Sequence, residues 1–359
     1  MNLERLSLMI VEDNAFMGRL LARTIRAMGI RQIEIVENGK AAVEKFDMIQ
    51  KDPVKAGLQG VDIVMTDMFM PTVDGNLLLR WLRTSKQSPD RFMPVIMISG
   101  AADPANVRQA RDGGVTEFLA KPFSAKTVSD RILKVIDRTR PFIMTQDFFG
   151  PDRRRSRKQV AKERRVMKES EIEEVHGSTS AKTLRGDAKV IRFVLPNRLR
   201  EKVGAFGPDA VIALDPSVLE AAEEQIQSMA GDYASWVEES ILRLVDLQTT
   251  LALADNNPKD ILGEINSIAH ELRGQGGIFG YPLVTHCGKS LYEATSGSNY
   301  EINENRLTLI GAHVDAIRTV FRNKIAGDGG EVGVMLLGEL ESAVKKYASS
   351  EEAGKANAA

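Results

Sequence analysis

Acidic residues follow directly after two apolar runs near the start of the chain. Glu12 and Asp13 follow the run LSLMIV, and Asp67 follows VDIVMT. Three carboxylates that meet repel one another unless a cation neutralises them, and hard oxygen ligands suit Mg²⁺, which keeps water and phosphate oxygens in its shell. If both runs end at one edge of a sheet, the residues therefore predict a Mg²⁺ site that can receive a phosphoryl group.

A hydroxyl group and an ammonium group also lie at the ends of apolar runs. Ser99 closes the run MPVIMI, and Lys121 follows TEFLA. These two groups can hold the equatorial oxygens of a phosphoryl group without competing with a carboxylate as the nucleophile. Each residue taken singly is more simply a solvated strand end, but five suitable residue types at successive run ends indicate phosphoryl chemistry.

The elements that must position these residues form a regular alternation. Apolar runs at 6–13, 32–38, 61–67, 93–99 and 116–120 read as buried strands, with amphipathic segments between and after them. This alternation favours parallel strands, because a parallel strand returns only through a crossover. We therefore predict an α/β domain with a doubly wound five-stranded parallel sheet, in which ligands bind outside the carboxyl ends of the strands.

Four short motifs together resemble the bacterial two-component response regulator receiver domain, which has a flavodoxin-like fold. They are IVEDN (10–14), TDMFMPTVDG (66–75), MISG (97–100) and KPF (121–123), and the resemblance covers roughly residues 4–138. The chain departs from the family in its Glu-Asp pair, where Asp-Asp is commoner. It also has extra residues between Lys51 and Gly60, which we expect to form a surface loop.

The resemblance implies a role for each site residue. It makes Asp67 the phosphoacceptor. It implies that Mg²⁺ is held by oxygen atoms of Glu12, Asp13, Asp67 and the Phe69 backbone. It implies that Ser99 and Lys121 contact the phosphoryl group and that Ser99 and Phe118 form the switch. The implied donor is a phosphohistidine on a sensor histidine kinase or a histidine phosphotransfer protein.

From Asp215 onward the apolar spacing is helical. Asp215-Pro216 and Asn257-Pro258 each offer a side-chain cap followed by proline in the first turn. We predict helices near 216–229, 232–254, 258–276, 281–295 and 303–325, and a further amphipathic segment at 332–348. Short connections favour antiparallel neighbours, so these helices should form an all-α up-and-down helical bundle.

The third predicted helix carries a histidine among suitable neighbours. His270 lies off the apolar stripe that includes Ala269 and Leu272, so we expect its side chain to be partly exposed. Arg273 and Gly274, at i+3 and i+4, share its face. The cation can attract phosphate, and glycine leaves room for a partner, which would offset its cost of about 1 kcal/mol in a helix. His286 and His313 lack this pair, and we expect them to be surface or partly packed imidazoles.

This segment resembles the histidine phosphotransfer domain over roughly residues 215–325. The matching positions are His270, Leu272, Arg273, Gly274, Gly280, Leu283 and Cys287. The resemblance implies that His270 exchanges phosphoryl groups with a receiver aspartate, in this chain or in another protein. Arg273 stands where the family more usually has lysine. The chain shows no nucleotide-binding boxes of a histidine kinase, so we expect no ATP site and an external phosphate source.

Between these two parts the apolar periodicity fades. Residues 153–168 include nine Lys or Arg, followed by acidic and Ser/Thr-rich patches. We read the region as a basic, mostly irregular linker. A solvated connector is favoured over nucleic-acid binding, because the run lacks interleaved aromatic residues and a groove-reading motif. The apolar piece VIRFVL (190–195) would be an edge strand or a docking segment.

Composition narrows the function classes. The formal net charge of −1 predicts no global attraction to nucleic acid or anionic membrane, and no apolar stretch approaches the roughly 20 residues that span a bilayer. The single cysteine, Cys287, excludes an intramolecular disulfide, and a zinc site is improbable without suitably spaced ligands. No signal segment is recognisable, so we expect a cytoplasmic protein.

Together these observations predict four segments: a receiver domain at 1–140, a basic, mostly irregular linker at 141–212, a histidine phosphotransfer-like bundle at 213–326, and a tail with a possible helix at 327–359. The predicted function is a Mg²⁺-dependent phosphorelay protein of two-component signal transduction. Two alternatives stay open. One is a phosphorylation-switched binding module whose helical domain does not transfer phosphate, and the other is a nucleic-acid-binding regulator that uses the basic linker.

Overall fold

A computed structural model describes residues 1–57, 60–100, 104–153, 172–176, 190–207, 210–253, 257–297 and 300–358. The chain divides into two compact units, Met1–Ile226 and Gln227–Ala359. Most of the basic run at 153–168 lies outside the described residues, so its role as a connector stays a prediction.

The N-terminal unit is built on a five-stranded parallel sheet with the strand order β2-β1-β3-β4-β5. The strands are β1 (Ser7–Val11), β2 (Gln32–Val36), β3 (Ile63–Asp67), β4 (Val95–Ser99) and β5 (Glu117–Ala120). The helices around them are α1 (Ala15–Ala27), α2 (Gly39–Lys51), α3 (Pro53–Ala56), α4 (Gly75–Thr84), α5 (Pro104–Asp112) and α6 (Ala125–Asp137). The predicted doubly wound, flavodoxin-like architecture is confirmed.

Burial explains the continuous apolar runs of this sheet. Every residue of β1, β3 and β4 is buried, because helices cover both faces of a parallel sheet. The loop predicted between Lys51 and Gly60 is partly helical: α2 continues to Lys51, and α3 follows it. Asp52 caps α3 by accepting a hydrogen bond from the Lys55 backbone N–H at 3.0 Å. This cap and Pro53 in the first turn favour a helical start.

Polar residues begin the helices that follow the strands. Asn14, Asn38 and Asp74 each accept a hydrogen bond from the backbone N–H three residues on, at the starts of α1, α2 and α4. Ser124 and Thr127 form a capping box at the start of α6. Each cap contributes about 1 kcal/mol of stability. The caps thus fix where the chain turns after it leaves the sheet.

A four-stranded sheet lies where a mostly irregular linker was predicted. Its order is β7-β6-β9-β8, and the strands are β6 (Phe142–Met144), β7 (Phe149–Pro151), β8 (Ile172–His176) and β9 (Val190–Val194). A short helix, α7 (Arg198–Lys202), follows. The prediction of an irregular linker was therefore wrong for these residues. The piece VIRFVL contains β9, which is an internal strand rather than an edge strand. β6 and β7 have only three residues each, which is too few for recognition by periodicity.

An aromatic cluster explains why such short strands form a sheet. Phe142, Phe149 and Phe193 surround Phe92, with ring centroids 5.1, 5.2 and 5.4 Å from it in edge-to-face geometry. All four rings are buried. Edge-to-face pairs contribute about 0.5–1.5 kcal/mol each beyond area burial. The second sheet therefore gains its stability from packing on Phe92, which precedes β4.

The C-terminal unit is largely helical. Helix α8 (Pro216–Ser228) spans the boundary, and the helices after it are α9 (Ala230–Leu251), α10 (Pro258–Gln275), α11 (Pro282–Thr295), α12 (Glu304–Arg322) and α13 (Gly330–Ala358). The predicted caps are present, since Asp215 accepts from the Ser217 backbone and Asn257 from the Lys259 backbone. Helix α13 extends further than the segment predicted at 332–348. Among the described residues, no helix is long and apolar enough to cross a bilayer.

One histidine of the helical unit is fully buried, contrary to the expected surface or partly packed imidazole. His313 on α12 is 0% exposed, with Nδ1 2.7 Å from the Leu309 carbonyl and Nε2 2.8 Å from the Ser290 hydroxyl. A carbonyl only accepts, so Nδ1 carries the proton and Nε2 accepts from Ser290. Because both ring nitrogens have partners, the imidazole can be buried at little cost.

This histidine predicts a pH dependence of stability. Burial lowers the pKa of His313 below its ordinary value of 6.5. Below pH 6.5 the unfolded chain therefore binds more protons than the folded one, and the unfolding free energy should fall by up to about 1.4 kcal/mol per pH unit. Urea unfolding of the full chain at pH about 7.5 and 5 measures this. His313→Leu should flatten the dependence, whereas the exposed His286→Gln should not; an equal slope in both variants contradicts the assignment.

Candidate functional site

The carboxyl ends of β1, β3 and β5 bring three predicted site residues into direct contact. The Lys121 ammonium nitrogen lies 2.5 Å from Asp67 Oδ2 and 3.2 Å from Glu12 Oε2. All three side chains are buried. An ammonium group between two carboxylates offsets part of their repulsion and desolvation cost. Lys121 is therefore not a surface lysine, and its position depends on both acidic residues.

Asp13 belongs to the same electrostatic cluster. Its pKa is raised above the ordinary value, first because nearby protein atoms desolvate the carboxyl group and second because of the Asp67 charge. Lys121 and the backbone N–H groups of Asp13 and Asn14 offset part of this effect. Unlike Glu12 and Asp67, Asp13 is exposed. The cluster thus has one acidic edge that solvent can reach.

Ser99 and Phe69 flank the cluster. Ser99 ends β4 and is fully buried, and its carbonyl accepts a hydrogen bond from the Lys121 backbone N–H at 2.9 Å. The Phe69 backbone N–H donates to Asp67 Oδ1 at 3.1 Å. One carboxylate oxygen of Asp67 is therefore bound to the following loop while the other contacts Lys121.

Phe118 lies on β5, which β4 separates from the strand of Asp67. It is half-buried and packs against the core that contains Met97, its register partner on β4. The ring is therefore neither fully enclosed nor fully exposed.

Gly75, to which the sequence analysis gave no role, allows the loop after Asp67 to return close to that residue. A Cβ atom at Gly75 would lie 2.1 Å from the Asp67 carbonyl oxygen. Gly75 also donates its backbone N–H to the Met68 carbonyl at 3.2 Å and begins α4. The DG pair at 74–75 was a visible signal, because it combines a capping residue with one that lacks a side chain.

Gly75→Ala should therefore destabilise the N-terminal unit by about 3 kcal/mol, since backbone atoms rather than a flexible side chain must move. The matched control is Gly60→Ala, because nothing lies within 4 Å of a Cβ at Gly60. That variant should change stability by less than about 0.5 kcal/mol. Denaturant unfolding of both full-length variants measures the difference. Equal stability of the two proteins would show that the loop has room beside Asp67.

The donor set fits a hard divalent cation. Carboxylate oxygens of Glu12, Asp13 and Asp67 are the ligand type that Mg²⁺ prefers. The cluster contains these three acidic groups and one ammonium group, that of Lys121, so the acidic groups are in excess by two. The raised pKa of Asp13 shows that part of this negative charge is costly. A bound cation would relieve that cost.

The helical unit places His270 near the C-terminal end of α10. The side chain is 8% exposed, so the expected partial exposure was wrong. Tyr292 on α11, which the sequence reasoning missed, has its ring centroid 5.6 Å from that of His270. The Arg273 guanidinium carbon lies 5.6 Å from the same ring centre. The predicted histidine and cation therefore share one aromatic neighbour.

Close packing of α10 and α11 brings Tyr292 to this position. A Cβ at Gly288 on α11 would lie 2.7 Å from the Arg273 backbone nitrogen and 3.0 Å from the Ala269 carbonyl oxygen. Gly276, at the end of α10, is equally constrained, since its Cβ would lie 2.7 Å from the Tyr281 carbonyl oxygen. These glycines permit the approach of the two helices.

Cys287, also part of the predicted motif, faces the interior of the helical unit. It is 0% exposed, and burial raises the pKa of its thiol to about 12. The thiol is therefore protonated at neutral pH and does not act as a nucleophile.

Comparisons with known proteins agree on the N-terminal part of the chain. The family model for the response regulator receiver domain matches residues 8–133. A chemotaxis protein CheY homolog of Campylobacter jejuni is 28% identical over 131 residues, which cover 36% of this chain and 92% of the relative.

Solved structures give similar matches. The CheX-CheY-BeF3-Mg complex of Borrelia burgdorferi contains a chain with 25% identity and a TM-score of 0.31, covering 36% of this chain and 88% of that chain. The signal receiver domain of a signal transduction histidine kinase from Syntrophus aciditrophicus has 27% identity and a TM-score of 0.30, with the same coverage.

Proposed function

Because residues 8–133 form a response regulator receiver domain, a module of two-component signalling that undergoes Mg²⁺-dependent aspartate phosphorylation, we propose that Asp67 is the phosphoacceptor of this chain. The observation that supports it best is the contact of Lys121 with both Asp67 and Glu12 in a buried cluster. The donor would be a phosphohistidine on a sensor histidine kinase or a histidine phosphotransfer protein.

The proposed step is an in-line transfer. A carboxylate oxygen of Asp67 attacks phosphorus, the bond between phosphorus and the donor imidazole nitrogen breaks, and its electron pair stays on that nitrogen. Lys121 neutralises charge on the transferring oxygens, and the Ser99 hydroxyl donates a hydrogen bond to one of them. The Phe69 N–H fixes the carboxylate by its bond to Oδ1. Positioning of this kind supplies most of the catalysis in phosphoryl transfer.

Mg²⁺ would be held by Glu12, Asp13, Asp67 and the Phe69 carbonyl. When bound, the ion neutralises the cluster and the phosphoryl oxygens. The acidic residues by themselves would repel an incoming phosphoryl group, so transfer should require Mg²⁺.

The response to phosphorylation would pass through Ser99 and Phe118. A phosphoryl group on Asp67 attracts the Ser99 hydroxyl, and the half-buried Phe118 ring moves into the space that this leaves. Such a movement changes the surface near β5 that partners meet.

The helical unit would be the second phosphotransfer site. We assign it to an up-and-down histidine phosphotransfer bundle in which His270 exchanges a phosphoryl group with a receiver aspartate, in this chain or in another protein. The placement of Arg273 one turn after His270, beside the same Tyr292 ring, supports this assignment. A donor or acceptor reaches the imidazole only when the surrounding protein moves, because His270 is buried.

That burial also favours a second candidate function. In it, Asp67 is phosphorylated and the helical unit binds a partner without carrying phosphate. The nucleic-acid alternative depends on the basic run at 153–168, which lies mostly outside the described residues.

Radiolabelled phosphoramidate, whose phosphorus–nitrogen bond resembles that of phosphohistidine, distinguishes the two functions. With Mg²⁺ the full chain should first gain label that hydroxylamine releases, as an acyl phosphate does, and then label that acid releases but hydroxylamine does not. If the only label is hydroxylamine-sensitive acyl phosphate, the second candidate function is favoured, in which the helical unit binds a partner without carrying phosphate. Absence of both forms of label would refute the phosphoacceptor proposal.

A further inference from the structure

Helix α8 is hydrogen-bonded to the N-terminal unit close to the phosphoacceptor cluster. Its Glu223 side chain accepts a hydrogen bond from the Ala125 backbone N–H, with Oε2 2.9 Å from the nitrogen. Both residues belong to the N-terminal unit, which ends at Ile226. Ala125 is the first residue of α6 and comes only four residues after Lys121. The contact therefore joins α8 to the loop that follows Lys121.

The start of α6 explains why this contact forms. The first N–H groups of a helix have no intrahelical acceptor. The Ser124 hydroxyl accepts the Thr127 backbone N–H, and the Thr127 hydroxyl accepts the Ser124 backbone N–H in return. This capping box leaves the Ala125 N–H to another acceptor, and Glu223 supplies it. A carboxylate is favoured at this place, because the amino end of a helix is electropositive.

The first turn of α8 is packed less completely. Val218 and the preceding Leu214 line a cavity of about 540 Å³ together with Leu3 and Met28, which belong to the same unit. A cavity removes contacts that packed side chains would make. The hydrogen bond of Glu223 therefore provides an important part of the attachment of α8.

The loop after Lys121 has to respond when Asp67 gains a phosphoryl group. Without that group, the Lys121 ammonium contacts Asp67 Oδ2 directly. In an acyl phosphate the negative charge lies on the phosphoryl oxygens, further from the carboxyl carbon, so the ammonium must follow it. The group also adds negative charge at the edge of the sheet where α6 begins, and this charge repels the Glu223 carboxylate.

We propose that the hydrogen bond between Glu223 and Ala125 is a latch that phosphorylation of Asp67 releases. The inference rests on the proposed phosphorylation of Asp67 and adds the regulation of that site. Because coupling between two sites is reciprocal, the closed latch disfavours the phosphorylated form. Helix α8 continues beyond Ile226 to Ser228 and is the covalent connection to the helical unit. The latch thus links the state of Asp67 to this connection.

Hydrogen exchange of the full chain, followed by mass spectrometry, tests the release of α8. Beryllofluoride with Mg²⁺ takes the place of a phosphoryl group on an aspartate. It should raise the exchange rate of the α8 backbone amides about fivefold, a typical coupling between two sites. Glu223→Ala should raise the same rates by a similar factor without beryllofluoride. Asp67→Asn should show no response to beryllofluoride.

Reciprocity gives a second measurement. In calorimetric titration with Mg²⁺ present, Glu223→Ala should bind beryllofluoride about fivefold more tightly than the wild type does. The matched control is Glu224→Ala, because Glu224 is exposed on the same helix. Both substitutions remove one carboxylate and change helix propensity equally, so Glu224→Ala should have the affinity and the α8 exchange rates of the wild type.

Faster exchange in α8 with beryllofluoride, together with tighter binding by Glu223→Ala than by Glu224→Ala, supports the latch. Binding of beryllofluoride without a change in α8 exchange would overturn it and leave Asp67 as the phosphoacceptor. Equal affinities of Glu223→Ala and Glu224→Ala would do the same. If the wild type binds no more beryllofluoride than Asp67→Asn does, the phosphoacceptor proposal fails and the latch fails with it.

Discussion

Asp67→Asn is expected to reduce hydroxylamine-sensitive labelling of the full chain by at least about a hundredfold. The amide has almost the shape of the carboxylate but lacks its negative charge and nucleophilicity. The rest of the cluster stays connected, because Lys121 also contacts Glu12 at 3.2 Å. The loss would therefore be chemical rather than structural. Labelling with phosphoramidate and Mg²⁺ at equal protein concentrations measures it.

The control for this variant is Asp47→Asn. Asp47 lies on α2, is exposed, and pairs only with Lys51 one turn later among the described contacts. The same chemical change at that position should leave labelling at the wild-type level. Circular dichroism and thermal unfolding of both variants verify that the sheet is intact. Wild-type labelling in Asp67→Asn would remove this residue from the acceptor role.

His270→Gln has the second largest expected effect. The acid-labile, hydroxylamine-resistant label should disappear, because glutamine has no ring nitrogen that can carry a phosphoryl group. The acyl phosphate on Asp67 should persist, and its lifetime should lengthen if the two sites exchange phosphate within one chain. A time course of both label classes after removal of the donor measures this.

His286→Gln is its matched control. His286 is the next histidine along the chain, lies exposed on α11, and has its Nδ1 2.8 Å from the Pro282 carbonyl oxygen. This variant should label as the wild type does. If acid-labile label persists in His270→Gln, another residue carries it. If the wild type never gains such label, the helical unit acts by binding alone.

The meeting of Glu12, Asp67 and Lys121 could be predicted because its determinants are local in sequence. Asp67 and Ser99 end fully buried parallel strands, and such strands leave continuous apolar runs with a sharp polar end. Strand ends of one parallel sheet meet at one edge, so the spatial meeting of these residues follows from topology. The tight closure at Gly75 is less visible, because it depends on how closely the loop returns to the Asp67 carbonyl.

The features that were missed depend on packing between distant segments. The sequence places His270 beside an apolar stripe, but its burial involves Tyr292, which reaches it because Gly288 lets α11 approach α10. His313 could be buried because Ser290, on another helix, supplies its second hydrogen bond. The four-stranded sheet forms around Phe92, which precedes its first strand by 50 residues. Periodicity within one segment contains none of this information.

Chemical identification of the phosphorylated side chain tests the assignment of Asp67 as the phosphoacceptor most directly. Borohydride reduces an acyl phosphate to an alcohol, so a phosphorylated aspartate becomes homoserine, which mass spectrometry of the digested protein locates. We predict homoserine at position 67, dependent on Mg²⁺ and absent from Asp67→Asn. Homoserine at Asp13 or another aspartate, or 5-hydroxynorvaline at Glu12 or another glutamate, with no homoserine at position 67, would contradict the assignment.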